Sequence, residues 1–227
     1  MQEKGQLAYE VIKKKIITGE RAPLSDISEK KLQEELGTSR TPVHEAIARL
    51  RDENFVYTFP RKGTFVTDIT VETVRAVYEM RLLNEPYLTR HAIGSVPREW
   101  LEDILYRLGH WSEEMDLAEK NAYFQGLDTE LHTTIASYNE NIFLRNGLRN
   151  VYDHDQRIRI KRRKTPLHPD QLNISRQEHV AIVEAMLKED GALVEELCRF
   201  HIIHSRDMIY EVMYGGLGSS AGGAGNK

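Results

Sequence analysis

The sequence predicts a mostly α-helical chain: an N-terminal winged helix-turn-helix followed by an all-α antiparallel bundle of about six helices. Three observations carry this. Val43, Ala46, Ile47 and Leu50 share one face of a helix that opens just after Gly37. Two β-prone runs, 55–59 and 64–67, flank a basic Pro60-Arg61-Lys62-Gly63 tip. From Thr70 to Tyr214 no strand pattern interrupts the helical spacing.

Taken in order, Leu7, Ala8, Val11, Ile12, Ile16 and Ile17 follow helical spacing and stop at Thr18-Gly19, which predicts a first helix. Residues 20–27, containing Pro23, read as a connector. A short helix from Ser28 to Leu36 then closes at Gly37, and Ser39 or Thr41 caps the next, with Pro42 in its first turn. That second helix turns Arg40, Thr41, His44 and Ala48 away from its apolar back. Donors at an N-terminal turn with little bulk behind them suit a helix that reads a DNA major groove. The hairpin that follows makes the motif winged. On this reading Arg40 makes the most discriminating base contact, assisted by Thr41 and His44. Lys30 meets phosphate, and Arg61, Lys62 and Gly63 enter the minor groove. The competing reading is a small helical core module with an ordinary hairpin.

The bundle segments fall roughly at 70–92, 97–119, 121–137, 140–164, 172–189 and 191–214. The expected breaks lie at Gly94 to Pro97, near Asn121, at Asn139, at Thr165 to Pro169 and at Asp190-Gly191. The predicted domains are residues 1–67, residues 68–214 and a disordered tail at 215–227, where glycine is abundant. The 40% apolar content suffices for real cores. Without an apolar run near 18 residues or a signal-peptide start, the expected location is the cytoplasm. A single Cys198 excludes an intramolecular disulfide framework. Residues 1–69 carry 12 Lys and Arg against 11 Asp and Glu, and the remainder 19 against 24. Attraction to phosphate must therefore come from placed charges rather than from a general field.

Inside the bundle the apolar stripes carry unexpected polar groups. Arg81 and Glu85 share a face with Val74, Val77, Tyr78 and Leu88. They form either a structural buried pair or an Arg presented to an anionic ligand. Asp128 and His132 lie one turn apart on the face of Phe124, Leu131 and Ile135. His179 accompanies Ile182, Val183 and Met186, and His201 accompanies Val194, Leu197 and Met208. Each imidazole alone reads as a satisfied core residue. Three of them with an Asp, on helices able to converge, also read as a metal site. An open coordination position allows a metal-dependent hydrolase as the alternative function. The run from Arg157 to Lys164 holds six basic residues in eight and reads as a solvated helix end, or as a surface for DNA or effector. His154, just before it, reads as a decoy for a metal ligand.

Residues 6–66 resemble the GntR-type bacterial transcription regulators. The resemblance lies in Thr18-Gly19-Glu20, in Leu32 through Val43 (Leu-Gln-Glu-Glu-Leu-Gly-Thr-Ser-Arg-Thr-Pro-Val), and in the Pro60-Arg61-Lys62-Gly63 wing. The chain departs from that pattern at Pro23-Leu24, where the family usually has Pro-Gly, and at His44, where it usually has Arg. Residues 70–210 are similar to the FCD effector domain of the FadR branch, in its VanR-like subgroup. They match through Glu79-x-Arg81-x-x-x-Glu85-Pro86, Asp128-x-x-x-His132 with Asn139, Glu178-His179-x-x-Ile182 and His201. The resemblance implies a ligand-responsive regulator that binds double-stranded operator DNA as a homodimer. It also implies one divalent metal per chain (Zn, Ni or Mn), held by Asp128, His132, His179 and His201. A small organic acid or sugar acid would be the effector, with Arg81, Asn139 and Arg157 as candidate contacts.

Overall fold

The structure, a computed structural model, describes residues 2–112, 114–162 and 167–215. Residues 216–227, nearly all of the expected disordered tail, lie outside them. The chain divides into two compact units, one reaching to Thr70 and including Gln156–Lys161, the other starting at Val71.

The first unit holds α1 (Gln2–Ile17), β1 (Asp26–Ile27), α2 (Glu29–Leu36), α3 (Arg40–Asp52), β2 (Val56–Phe59) and β3 (Gly63–Val66). The apolar faces expected from spacing close on one another. Ile12, Ile16, Leu32, Val43, Ala46, Leu50, Phe55 and Val66 are all buried in one cluster. Ser28 Oγ accepts from Lys31 N at the start of α2, and Gly37, at φ 58°, ends it. Ser39 precedes α3 in extended conformation but makes no side-chain capping bond. The hairpin joins β1 in a three-stranded antiparallel sheet ordered β1-β3-β2, with β3 at its centre. β1 lies in the stretch expected to be connector. Ala22 through Ser25 makes a turn closed by Ser25 N donating to Ala22 O at 3.1 Å, and Leu24 N then donates to Val66 O at 3.0 Å. That turn delivers Asp26 and Ile27 to the free edge of β3.

The second unit is built from α4 (Val71–His91), α5 (Arg98–Gly109), α6 (Leu117–Ser137), most of α7 (Ile142–Arg162), α8 (Pro169–Leu187) and α9 (Gly191–Tyr214). α4 packs along α9, which also lies against α8, while α5 meets α6 and α8. Three boundaries differ most from the sequence expectation. α5 stops at Gly109, and α6 begins at Leu117 because Asp116 and Glu119 form a reciprocal capping box. α8 begins at Pro169, whose missing N–H costs nothing at a first helical position.

The described part of the basic run, Arg157 to Arg162, is not a solvated helix end. Arg157 and Arg159 are 3% and 8% exposed. Residues 156–161 belong to the first unit, where Ile160 packs against the winged core. Arg157 Nη1 donates to Thr67 Oγ1 at 2.8 Å, and its Nη2 donates to Thr67 O. Lys161 donates to Ile69 O at 3.0 Å. Arg163 and Lys164 lie outside the described residues.

Candidate metal centre and nucleic-acid interface

On the first unit, Lys30, Arg40, Thr41, His44, Arg61, Lys62 and Gly63 are all exposed. Arg40 opens α3, and His44 stands one turn on. Glu29, not singled out from the sequence, reaches both: its carboxylate accepts from Arg40 Nε at 3.4 Å and lies 3.2 Å from His44 Nδ1. At the wing, Lys62 N donates to Phe59 O at 3.1 Å, closing a turn with Pro60 second and Arg61 third. Arg61 adopts φ 64°, the left-handed region that type II turns reserve for glycine.

In the second unit the inward polar residues from three helices meet. One donor atom each from Asp128, His132, His179 and His201 lies within 4.8 Å of all the others, and all four residues are buried. His179 Nε2 sits 3.3 Å from His132 Nε2 and 3.1 Å from Asp128 Oδ1. The His179 and His201 rings have centroids 4.3 Å apart.

The other nitrogen of each ring settles the tautomers. His132 Nδ1 donates to Glu85 Oε2 at 3.0 Å, His179 Nδ1 to Ser175 O at 2.7 Å, and His201 Nδ1 to Glu178 Oε2 at 2.9 Å. With all three Nδ1 protons committed outwards, the three Nε2 atoms carry lone pairs that point into one small volume beside a carboxylate. His201 Nε2 is buried with no hydrogen-bond partner among the described residues. Burial first, then the His179 and His132 imidazoles, push the His201 pKa well below its ordinary value and keep the ring neutral. Converging lone pairs beside a carboxylate repel one another, and a divalent cation relieves that repulsion. Three imidazole nitrogens and one carboxylate oxygen are an N/O donor set suited to Zn²⁺, Ni²⁺ or Mn²⁺. The residues present fit such an ion. His154 is buried but is not one of the four.

The candidate effector residues are placed differently. Arg81 is fully buried and already held: Nε donates to Glu85 Oε1 at 2.5 Å, Nη1 meets Asp155 Oδ2 at 3.1 Å, and Nη2 reaches His132 Nε2 at 3.5 Å. The structural-pair reading of Arg81 fits these contacts. Burial raises the Glu85 carboxyl, but Arg81 and His132 outweigh it and hold the pKa at about 2. Asn139 Oδ1 accepts from Asn141 N at 2.9 Å, shaping the start of α7. Arg157 grips Thr67 in the first unit, so the structure does not bring it to the donor cluster.

A different set lines a cleft of about 430 Å³ formed by α6 and α7: Thr133, Ser137, Arg145, Asn146, Arg149 and Tyr152 among others. Tyr152 lines the cleft, and its ring lies 6.3 Å from that of His132. Burial, then the Glu85 carboxylate, push its phenol pKa well above the ordinary value, so it stays a neutral hydroxyl. Arg145 and Arg149 went unnamed in the sequence because a surface Arg pair one turn apart looks like any solvated helix face. Asp155 and Glu178 matter only through partners far away in sequence, and so does the second contact of Glu85, to His132; periodicity does not reveal these.

Two family models match the chain: "Bacterial regulatory proteins, gntR family" over residues 4–66 and "FCD domain" over residues 76–204. Among curated proteins, the chain is 23% identical over 205 residues to the uncharacterized HTH-type transcriptional regulator YdhC of Bacillus subtilis, covering 90% of each. It is 21% identical over 207 residues to the HTH-type transcriptional repressor RspR of Escherichia coli, covering 91% of this chain and 89% of that one. Among solved structures, E. coli McbR/YncC superposes with a TM-score of 0.74 at 16% identity, over 92% of this chain and 97% of the other, which establishes a shared fold. These relatives are transcription regulators, not enzymes, so the hydrolase alternative finds no support in them. The chain belongs to the gntR family of bacterial regulatory proteins and is a DNA-binding transcription regulator that carries an FCD domain.

Proposed function

We propose that this regulator is controlled through its bundle unit, which holds one divalent metal ion and a small organic acid or sugar acid. Asp128, His132, His179 and His201 hold the ion. The observation that carries the reading is the convergence of three imidazole lone pairs and a carboxylate oxygen within 4.8 Å. When bound, the ion would supply a Lewis-acidic centre. The effector enters the α6–α7 cleft, whose volume of about 430 Å³ is that of a small-metabolite site. Arg145 and Arg149 take its anionic end, and Thr133 and Ser137 its hydroxyls. Arg81, Asn139 and Arg157 instead serve as internal supports.

DNA is read by Arg40, Thr41 and His44 on α3, with Lys30 on phosphate and Arg61, Lys62 and Gly63 at the minor groove, inside the bacterial cytoplasm. One short helix reads few base pairs, so a homodimer spans two half-sites about 34 Å apart. An exposed apolar stripe on α4 supports self-association: Met80, Leu83 and Tyr87 are 43%, 68% and 50% exposed.

The test is elemental analysis of protein purified without metal-affinity resin. The expected result is about one Zn, Ni or Mn per chain in the native protein and none in His179→Ala, each with native circular dichroism. Full retention of the metal by His179→Ala would overturn the reading.

A further inference from the structure

Of the three candidate ligand imidazoles, His132 and His201 each take their orientation from a residue of another helix. His179 Nδ1 bonds to the Ser175 carbonyl one turn back on its own helix, a partner α8 supplies by its geometry. His132 Nδ1 bonds to Glu85, itself fixed by Arg81. His201, on α9, depends on a residue from a different helix, Glu178 of α8, whose Oε2 lies 2.9 Å from its Nδ1. The other carboxylate oxygen is also taken, 2.5 Å from His204 Nδ1. Both oxygens are therefore engaged and the carboxylate cannot rotate away. The Glu178 side chain is 10% exposed, while His204 at 29% is the outermost member of the trio.

A neutral imidazole has two tautomers, and only the one protonated on Nδ1 offers Nε2 to the cluster. The opposite tautomer would place an N–H among donor atoms and block coordination. A carboxylate at Nδ1 removes that choice and raises the donor strength of Nε2. This fits the buried His201 Nε2, which has no hydrogen-bond partner among the described residues.

We propose that Glu178 is a positioning residue for the metal: it locks His201 with Nε2 facing the donor cluster, and so sets how tightly the ion is held. The proposal rests on the metal reading above. A merely structural Glu178 would tie α8 to α9 without affecting the ion, and the two roles are separable.

The experiment uses the full chain, stripped by chelator and titrated with Co²⁺ against a competing chromophoric chelator. The visible ligand-field spectrum of the Co²⁺ form is recorded alongside. Glu178→Ala is expected to weaken Co²⁺ binding roughly 10–100-fold and to alter the ligand-field bands. Glu178→Gln, whose amide oxygen still accepts from His201 Nδ1, should recover part of that loss. His204→Ala, which leaves the Glu178–His201 bond in place, should lose less than Glu178→Ala. If Glu178→Ala fails to fold, Glu178→Gln carries the test, with weaker binding and shifted bands expected. Wild-type affinity and an unchanged spectrum in a folded Glu178 variant would overturn the positioning role. Absence of Co²⁺ binding by the wild-type chain would overturn the metal reading and this inference with it.

Discussion

Arg61 is held at φ 64° at the tip of the wing, and Leu24 at φ 66° in the turn before β1; each follows a proline. Both sit where a type II turn favours glycine, and an L-residue there costs about 1–2 kcal/mol. Such strain persists where the side chain serves a purpose. Arg61 is exposed and has little packing to lose. Arg61→Gly should therefore stabilise the chain by about 0.5 kcal/mol once the added flexibility of the unfolded state is subtracted. The same variant should weaken operator binding; denaturant midpoints and gel-shift titrations check the two halves. Arg81 presents the opposite case. Its removal strands two buried carboxylates, Glu85 and Asp155, without their shared guanidinium. Arg81→Ala is expected to cost about 3–5 kcal/mol of stability. A variant with native stability but altered effector binding would instead make Arg81 a ligand contact. The sequence brought Arg81 and Glu85 onto one inward stripe and left both readings open. Asp155 was hidden because it follows a decoy His154 and precedes a basic run that looked solvated.

At the scale of elements, legibility followed how local the cause was. The apolar back of α3, the Gly37 stop and the hairpin arise within a few residues, and all three could be read. β1 arises from pairing with a strand nearly forty residues later, which no window over 20–27 reveals. The start of α6 was local but misread: Asp116-x-x-Glu119 is a capping pattern, and the apolar content of 111–119 concealed the break before it. Glu53 shows how one side chain ties elements together. At the end of α3 its carboxylate accepts from Lys13 Nζ at 2.7 Å and from the Tyr9 hydroxyl, both on α1, and from Arg49 on its own helix. Burial raises its pKa, but Lys13 and Tyr9 outweigh that and leave it below 4.5. A group lowered by folding binds its proton more readily in the unfolded chain. Its contribution is therefore complete above pH 4.5 and fades as pH falls through the lowered value. Glu53→Gln should lose stability at neutral pH and show a flatter acid limb for the first unit. Urea midpoints across the acid range, followed by a probe in that unit, would sink the assignment if both proteins kept the same slope.

For the molecule as a whole, the balance of charge limits how it can use DNA. With 12 cationic against 11 anionic side chains in residues 1–69, general attraction to phosphate is weak, and operator affinity must come from placed contacts. Affinity of that kind is sensitive to where α3 is held, and therefore to any ligand that favours one arrangement. The proposed metal is the ligand that can be tested without knowing the proposed effector. Linkage requires that if the ion changes operator affinity by a given factor, operator DNA changes ion affinity by the same factor. For a regulator the expected coupling is about 1–3 kcal/mol, or roughly 5–150-fold. The measurement is a closed cycle: operator titrations of the stripped and Zn²⁺-loaded protein, then Zn²⁺ titrations with and without saturating operator. Equal factors within that range on both legs would make the donor cluster part of the switch. A factor near one on both, with the ion still bound, would confine it to holding α6, α8 and α9 together, and control would then have to act through the Arg145–Arg149 cleft.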